Sequence, residues 1–507
     1  MLRLAVFIFL YSLVAVGFGS AAVKVLRLQG RFWERGMLGL MALTALGTAL
    51  HFSLPLRSTA PWICAVGLGL AVLFRRDLAS AIGPAEAVVF ALLVLFTARF
   101  SVRSGFNYDV GVYYLQTIQW NSEFSIVPGL ANLHGRFGYN SSLYVLASLF
   151  QMPAFGWAPA FSCGPLLGAL VLTTFAVRLH RFDSTKASHW FAAATLVACL
   201  LSPETALHRL GSLSTDTSAA LLIFYCTYLA LVVLEDGPDA SAASILIPAC
   251  VFGVTLKLSA LPLLVLILVG LLAARVSWRL KAAAIVGILW MARGFTLSGC
   301  LVYPVGASCL DVPWGVGAAA AREEAGYIWV WAKEHGTFGL FGELRRLSLL
   351  PIVLAATGLL RKVIRRELRL AKISPSLVCG LGVCFCLLAA PDNRFAMGFF
   401  LAATFSLFSI GIETSRPISP VPEMLWQTVA LALICAVPAA RGWRVPDWPA
   451  FGSPVTSMEE SAFGAVRVPL GSDDRCWDAP LPCTPQPIPR GSGAPALRQY
   501  LRRLFAK

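Results

Sequence analysis

The side chains with the clearest capacity for chemistry lie in one polar and aromatic segment, between Arg103 and Ser142. It contains carboxylates, cations, an amide and a tyrosine that we treat as candidate site residues: Tyr108, Asp109, Glu123, His134, Arg136 and Asn140. Asp109 follows closely on a long apolar run. Its carboxylate would therefore lie at a membrane surface, where a lipid head group and a water-soluble acceptor can meet. The alternative is a structural loop with hydrogen-bonded polar caps and interfacial tyrosines.

The elements that must position these side chains are apolar runs of about the length that crosses a bilayer, roughly 20 residues. The chain is 57% hydrophobic and 13% charged, whereas a soluble domain carries about 25% charged residues. Apolar runs recur over residues 1–438, and a proline-rich tail follows over 439–507. The sequence therefore predicts an all-α transmembrane bundle of about 12–14 spans with a small C-terminal tail.

The positions of lysine and arginine predict how these runs are oriented. Most basic residues lie in short connections, such as 24–35 and 361–372, as the positive-inside rule expects of cytoplasmic loops. The rule places both termini outside the cytoplasm, together with two long loops, about 100–157 and about 299–345. The small residues at 19–22 leave a cleaved signal peptide as the alternative reading of the first run.

The formal net charge of +15 does not indicate a nucleic-acid partner. Binding of DNA or RNA needs a basic surface with interleaved aromatic residues, whereas the cations here are distributed among the connections. The predicted partner is instead the lipid bilayer.

The cysteines provide an independent test of the orientation. Cys300 and Cys309 share the second long loop, and Cys476 and Cys483 share the tail. Both pairs fall on the side assigned as outside, where oxidising conditions permit disulfides. We therefore expect two disulfides, one in the loop and one in the tail.

Two cations stand out because they interrupt apolar sequence, which makes them functional candidates in a membrane protein. Lys257 is expected at the tip of a hairpin of two short antiparallel segments, and Arg394 in a short outside turn between two spans. The alternatives are that Arg394 pairs with Asp392 and that Lys257 extends to the interface. Asp216 is expected to pair with Lys257 or Arg209, to orient an acceptor, or to cap a helix.

Several stretches resemble a group of uncharacterised bacterial membrane proteins related to the GT-C superfamily of membrane glycosyltransferases. They are YDVGVYYLQTIQW, VPGLANLHGRFGYNSS, LGSLSTD ending at Asp216, VTLKLSALP around Lys257, SGCLVYPV from Ser298, PDNRF and CWDAPLPCTP. Together they extend over most of the chain, from about residue 100 to about 485. The likeness to the superfamily as a whole is looser and consists of the topology and an acidic residue in the first outside loop.

The resemblance implies transfer of a sugar from a polyprenyl phosphate to a glycan, lipid or protein acceptor, outside the inner membrane of a bacterium. The acidic loop residue of GT-C enzymes acts as general base or positions the acceptor, and by position this role falls on Asp109, with Glu123 as its rival. The remaining candidates would bind the donor phosphate or other parts of the substrate: Tyr108, His134, Arg136, Asn140, Asp216, Lys257 and Arg394.

The resemblance leaves two matters open. Many GT-C enzymes carry a paired acidic motif in this loop, whereas Asp109 stands between Tyr108 and Val110. A requirement for Mg²⁺ or Mn²⁺ therefore stays open. The alternative functions are a transporter or flippase of lipid-linked glycans, and an enzyme like an O-antigen ligase or polymerase. A carrier concentrates its charges at mid-membrane, and their position in loops here favours an enzyme.

Overall fold

A computed structural model of the chain describes residues 1–103, 106–180, 182–237, 241–273, 277–335, 340–367, 370–415, 456–470, 473–485 and 493–505. These residues are mostly helical, as predicted, with one small sheet in the tail. The predicted last span, 421–438, and the predicted boundary between bundle and tail lie outside the described residues.

The helices of the bundle follow one another through short connections. They are α1 Leu2–Val25, α2 Phe32–His51, α3 Leu56–Leu73, α4 Arg75–Ala81, α5 Pro84–Arg103, α6 Leu115–Glu123, α7 Ser142–Phe150, α8 Ala158–Phe161, α9 Cys163–His180, α10 Ala187–Leu201, α11 Pro203–Ala206, α12 Thr215–Asp236, α13 Ser241–Leu256, α14 Leu266–Ala273, α15 Ser277–Ser298, α16 Gly317–His335, α17 Leu340–Ile364, α18 Leu370–Ala389 and α19 Asn393–Ile412. A π-helical turn, Val110–Tyr114, precedes α6. Shorter 3₁₀ segments are Leu130–Asn132, Gly135–Gly138, Pro153–Phe155, Leu258–Val265 and Gly306–Ser308.

Seven helices in the described part of the chain are long and apolar enough to cross a membrane. They are Leu2–Val25, Leu56–Leu73, Pro84–Val102, Ala158–His180, Thr215–Asp236, Ala371–Ala389 and Asn393–Ile412. Four shorter apolar helices accompany them: Ala187–Leu201, Ala242–Leu256, Leu258–Leu271 and Ala283–Ser298. The protein is therefore a multi-pass membrane protein. The estimate of about 12–14 spans treated such short helices as full spans, although 15 residues rise only about 22 Å against a hydrocarbon core of roughly 30 Å.

The first two helices approach each other at the level of the backbone. A Cβ at Gly39 would lie 1.7 Å from the carbonyl oxygen of Ala15, and one at Gly19 would lie 1.7 Å from that of Arg35. Only glycine permits so close a contact, and small residues serve this purpose in membrane helices generally. The helix α7, which ends the first long loop, packs on both α2 and α3. The loop is thereby fixed to the rigid N-terminal part of the bundle.

The predicted hairpin around Lys257 is present. Gly270 of α14 lies against Ile247 of α13, and Gly253 lies against Leu263. As the numbers rise on one side they fall on the other, so the two segments run antiparallel. Lys257 has an extended backbone conformation between them, at the tip of the hairpin.

The tail adds elements that an all-α reading does not include. Strands β1 Thr456–Ser461 and β2 Gly464–Pro469 form an antiparallel hairpin, with Thr456 opposite Pro469 and Ser461 opposite Gly464. The last helix, α20, is Ala494–Phe505. Both predicted cysteine pairs are at bonding distance, with S–S separations of 2.01 Å for Cys300–Cys309 and 2.08 Å for Cys476–Cys483.

Candidate functional site

A cavity of about 1520 Å³ opens at one end of the bundle. Its walls come from the first long loop, the start of α12, the tip of the Lys257 hairpin, α16, the turn between α18 and α19, and the tail. It is larger than the roughly 300–1,000 Å³ of most small-molecule pockets. Eight of the nine predicted catalytic and binding residues line it: Tyr108, Asp109, His134, Arg136, Asn140, Asp216, Lys257 and Arg394.

Asp109 directly precedes the π-helical turn and presents its carboxylate to the cavity. The carboxylate accepts a hydrogen bond from Arg136 Nη1 at 2.7 Å and one from Asn107 Nδ2 at 3.4 Å. The guanidinium also lies 5.5 Å from the centre of the Tyr113 ring. Burial acts to lower the pKa of Arg136, but the carboxylate of Asp109 outweighs it and raises that pKa above its ordinary value. The carboxylate is thus held in one orientation by a permanent cation.

Lys257 and Asp216 form an ion pair across the cavity wall. The Lys257 ammonium lies 3.8 Å from the centre of the Phe395 ring, which adds a cation–π contact. Ser214 caps α12 by accepting a hydrogen bond from the backbone N–H of Asp216 at 3.3 Å. Of the roles expected for Asp216, the structure shows the pairing with Lys257 and assigns the cap to Ser214.

Arg394 is paired with Asp392, as the alternative reading expected. Its Nε and Nη2 each donate to Asp392 Oδ2 at 2.8 Å, and Asp392 also caps α19 by accepting from the Arg394 N–H at 2.9 Å. The guanidinium lies 5.0 Å from the centre of the Trp331 ring. It therefore remains at the cavity wall, held between a carboxylate and an aromatic face.

The sequence analysis missed a second pair of arginines in the cavity. Arg209 donates a hydrogen bond to Asn107 Oδ1, and among the described residues it has no carboxylate partner. Burial, followed by the nearby charge of Arg394, lowers the pKa of Arg209 from its ordinary value. Arg322 lies exposed at the rim, likewise without an ion pair in the described ranges. No local sequence signal marked either residue, because the fold brings them to the cavity from separate connections.

The second long loop closes over the first. Tyr139 donates its hydroxyl to Glu324 Oε1 of α16 at 2.5 Å. Burial, and then the charge of Glu324, raise the pKa of Tyr139 well above its ordinary value. The contact fixes α16 beside the loop that carries Asp109.

The tail forms another wall, which the sequence analysis did not assign to the site. Asp474 lines the cavity and accepts a hydrogen bond from the Tyr108 hydroxyl; burial, followed by this bond, raises the pKa of Tyr108. The backbone N–H of Trp477 donates to the Gly111 carbonyl at 2.7 Å. A Cβ at Gly111 would lie 2.9 Å from side-chain atoms of Arg475 and of Trp477. The tail is thus packed directly on the turn that positions Asp109.

Glu123, the proposed rival of Asp109, does not line the cavity. It is the last residue of α6 and is exposed. The intervening turn and helix carry the chain away from Asp109 by roughly 20 Å, since a helix rises about 1.5 Å per residue. Its position separates it from every other candidate, and this removes it as an alternative base.

The described residues contain no group of three or more His, Cys, Asp or Glu side chains arranged to hold a metal ion. The acidic residues of the cavity that the sequence singled out, Asp109 and Asp216, are instead paired with cations. A site for Mg²⁺ or Mn²⁺ is therefore not preformed in this part of the chain.

Residues 1–401 match the family model described as "Domain of unknown function (DUF8201)". The chain belongs to this family. The match includes every predicted catalytic and binding residue, and it ends before the tail that supplies Asp474. No curated protein and no solved structure matches the chain.

Proposed function

We propose that the protein is a membrane glycosyltransferase of GT-C type, which transfers a sugar from a polyprenyl phosphate to an acceptor outside the inner membrane. The observation that supports this most is the cavity itself. It places the Asp109 carboxylate in one space with cations from four separate connections, Arg136, Arg209, Lys257 and Arg394. A base and a phosphate-binding group are the two parts that such a transfer needs.

In the proposed reaction, Asp109 takes the proton of the acceptor hydroxyl as the hydroxyl oxygen forms its bond to the anomeric carbon. The bond between that carbon and the phosphate oxygen breaks, and its electron pair leaves with the polyprenyl phosphate. The leaving group is already stable as an anion, so no acid is required. Arg136 holds the carboxylate in place at 2.7 Å and stabilises it electrostatically until the proton arrives.

The donor phosphate is best matched by Arg209. A guanidinium grips phosphate oxygens with two parallel hydrogen bonds, and Arg209 has no competing carboxylate among the described residues. Lys257 and Arg394 are already engaged by Asp216 and Asp392. They support the anion from the cavity wall while remaining paired.

The location outside the cytoplasm is supported by what surrounds each end of the bundle. Both disulfides adjoin the cavity, since residues 302–306 and Asp474 are among its walls, and disulfides persist in oxidising compartments. The basic connection 361–372 lies at the other end, because α18 begins next to it and ends at Ala389, which lines the cavity. Basic connections are typical of the cytoplasmic side.

The test is transfer by the purified protein in sealed liposomes that contain radiolabelled undecaprenyl-phosphate hexoses and a solubilised cell-envelope fraction as acceptor. We expect Asp109→Asn to lower the release of undecaprenyl phosphate by about 10²–10⁴-fold, the usual contribution of a general base. Its affinity for undecaprenyl phosphate should be unchanged.

The matched control is Glu123→Gln, which removes an equivalent carboxylate outside the cavity and should transfer sugar at the wild-type rate. Full activity of Asp109→Asn would overturn the assigned base. Movement of intact labelled lipid across the liposome membrane, without cleavage, would favour a flippase instead.

A further inference from the structure

A buried arginine that the proposed reaction does not use lies behind the cavity. Arg293 belongs to the apolar part of α15, Ala283–Ser298, and its side chain is 2% exposed. Its three kinds of donor nitrogen each reach a neutral acceptor: Nε reaches His51 Nδ1 at 3.4 Å, Nη1 reaches Asn140 Oδ1 at 2.5 Å, and Nη2 reaches Asn121 Oδ1 at 2.7 Å. In the described ranges no carboxylate pairs with it.

The charge of Arg293 is therefore not cancelled by its neighbours. His51 Nε2 lies 3.1 Å from the carbonyl oxygen of Phe124 and must donate to it, so Nδ1 is the acceptor and the ring is neutral. Both asparagines offer only amide oxygens. A guanidinium is always protonated in proteins, and an ionisable group within a membrane helix is costly and marks a function by default.

Asn140 connects this charge to the cavity, which it lines. The Asn140 side chain is occupied by α15, because Oδ1 accepts from Arg293 and Nδ2 donates to the Trp290 carbonyl at 2.5 Å. The next residue, Ser141, donates its hydroxyl to the carbonyl of Leu256 at 2.7 Å, directly before Lys257. The Arg293 guanidinium thus lies one side chain behind the wall that carries Lys257.

We propose that Arg293 is a positioning residue that draws the phosphate of the lipid carrier to the Lys257 side of the cavity. This inference rests on the proposed function, since it assumes that the carrier is a polyprenyl phosphate. The charge acts through a dry, apolar interior, where Coulomb attraction is strong and salt screens it little. Asn140 serves as the hydrogen-bonded spacer and holds the guanidinium in place, and the phosphate does not contact Arg293.

The variant that tests this is Asn121→Asp. Asn121 is buried on the side of Arg293 away from the cavity, which it does not line, and its Nδ2 has no hydrogen-bond partner among the described residues. The change keeps the shape of the side chain and loses no hydrogen bond. It places a carboxylate at 2.7 Å from Nη2 and so neutralises Arg293 from behind.

The probes are undecaprenyl phosphate and undecaprenol, whose binding to the full-length protein in nanodiscs is measured by native mass spectrometry. We expect Asn121→Asp to bind undecaprenyl phosphate about tenfold more weakly, the size of effect that one nearby charge commonly has. Binding of the uncharged undecaprenol and the melting temperature should not fall. In the transfer assay KM for the donor should rise while kcat stays the same.

Arg293→Lys, which keeps the charge, should retain the preference for the phosphate, and Arg293→Gln should lose it. If Arg293→Gln does not fold, Asn121→Asp still decides the question. Wild-type affinity of Asn121→Asp for undecaprenyl phosphate would show that Arg293 is only structural and would leave the proposed function intact. A wild-type protein that binds undecaprenol as well as undecaprenyl phosphate would overturn both the donor class and this inference.

Discussion

The attachment of the tail to the catalytic loop can be tested by removing its disulfide with Cys476→Ser and Cys483→Ser together. The two cysteines are 7 residues apart, and in the chain-entropy account a loop of that length contributes about 2.4 kcal/mol by restricting the open state. At about 1.36 kcal/mol per factor of ten, the undocked state of this segment should become roughly 50-fold more populated.

The measurement is hydrogen exchange by mass spectrometry on the full-length protein in nanodiscs. Amides in 476–483 should exchange roughly 50-fold faster in the double variant, because exchange of a locally opening segment follows its opening equilibrium. The amide of Trp477 is the most direct reporter, since it donates to the Gly111 carbonyl at 2.7 Å. Release of sugar should fall as well, because Asp474 would leave the cavity wall.

The matched control is the pair Cys300→Ser and Cys309→Ser, which removes the other disulfide. It should accelerate exchange near residues 300–309 and leave 476–483 at wild-type rates. Unchanged exchange at 476–483 in the Cys476→Ser and Cys483→Ser protein would refute the reasoning. The tail would then be held by its contacts with α6 alone.

Two further substitutions test contacts that carry the proposals. Gly111→Ala should loosen the tail at a cost of about 1–3 kcal/mol, as overpacking usually does, because its Cβ would lie 2.9 Å from Arg475; faster exchange of the tail would report it, and wild-type exchange would contradict it. Arg209→Gln should weaken binding of undecaprenyl phosphate by at least about tenfold, because a charged hydrogen bond contributes about 1.5–3 kcal/mol. Arg322→Gln at the exposed rim is its control, and equal losses in both variants would argue against a specific role for Arg209.

Local sequence patterns were sufficient to predict much of the architecture. Apolar runs indicated a membrane bundle, since hydropathy over a span depends only on neighbouring residues. The break at Lys257 indicated a hairpin tip, and the structure has one there. Spacing along the chain also brought Cys300 and Cys309 together correctly, because a short separation limits where the partner can lie. The number of spans was harder, because hydropathy does not distinguish a short buried helix from one that crosses the bilayer.

The missing parts of the site depend on contacts between distant segments. Arg209 reaches Asn107 over 102 residues, and Tyr108 reaches Asp474 over 366. No single-sequence pattern encodes such pairs, since they follow from the packing of helices and loops. Glu123 illustrates the converse, because it is close to Asp109 in sequence and chemically similar, yet the helix between them directs it away from the cavity.

The charge balance of the cavity connects the proposed donor with both unpaired arginines. Three carboxylates each have their own cation: Asp109 pairs with Arg136, Asp216 with Lys257, and Asp392 with Arg394. These pairs leave no net charge to attract a ligand. In the described part of the chain, the buried Arg293 and the partly buried Arg209 remain without a carboxylate. A protein that bound only neutral glycans would gain nothing from either charge and would pay their desolvation. A polyprenyl phosphate supplies the missing anion, which is why neutralising Arg293 through Asn121→Asp should weaken the phosphate and spare the alcohol.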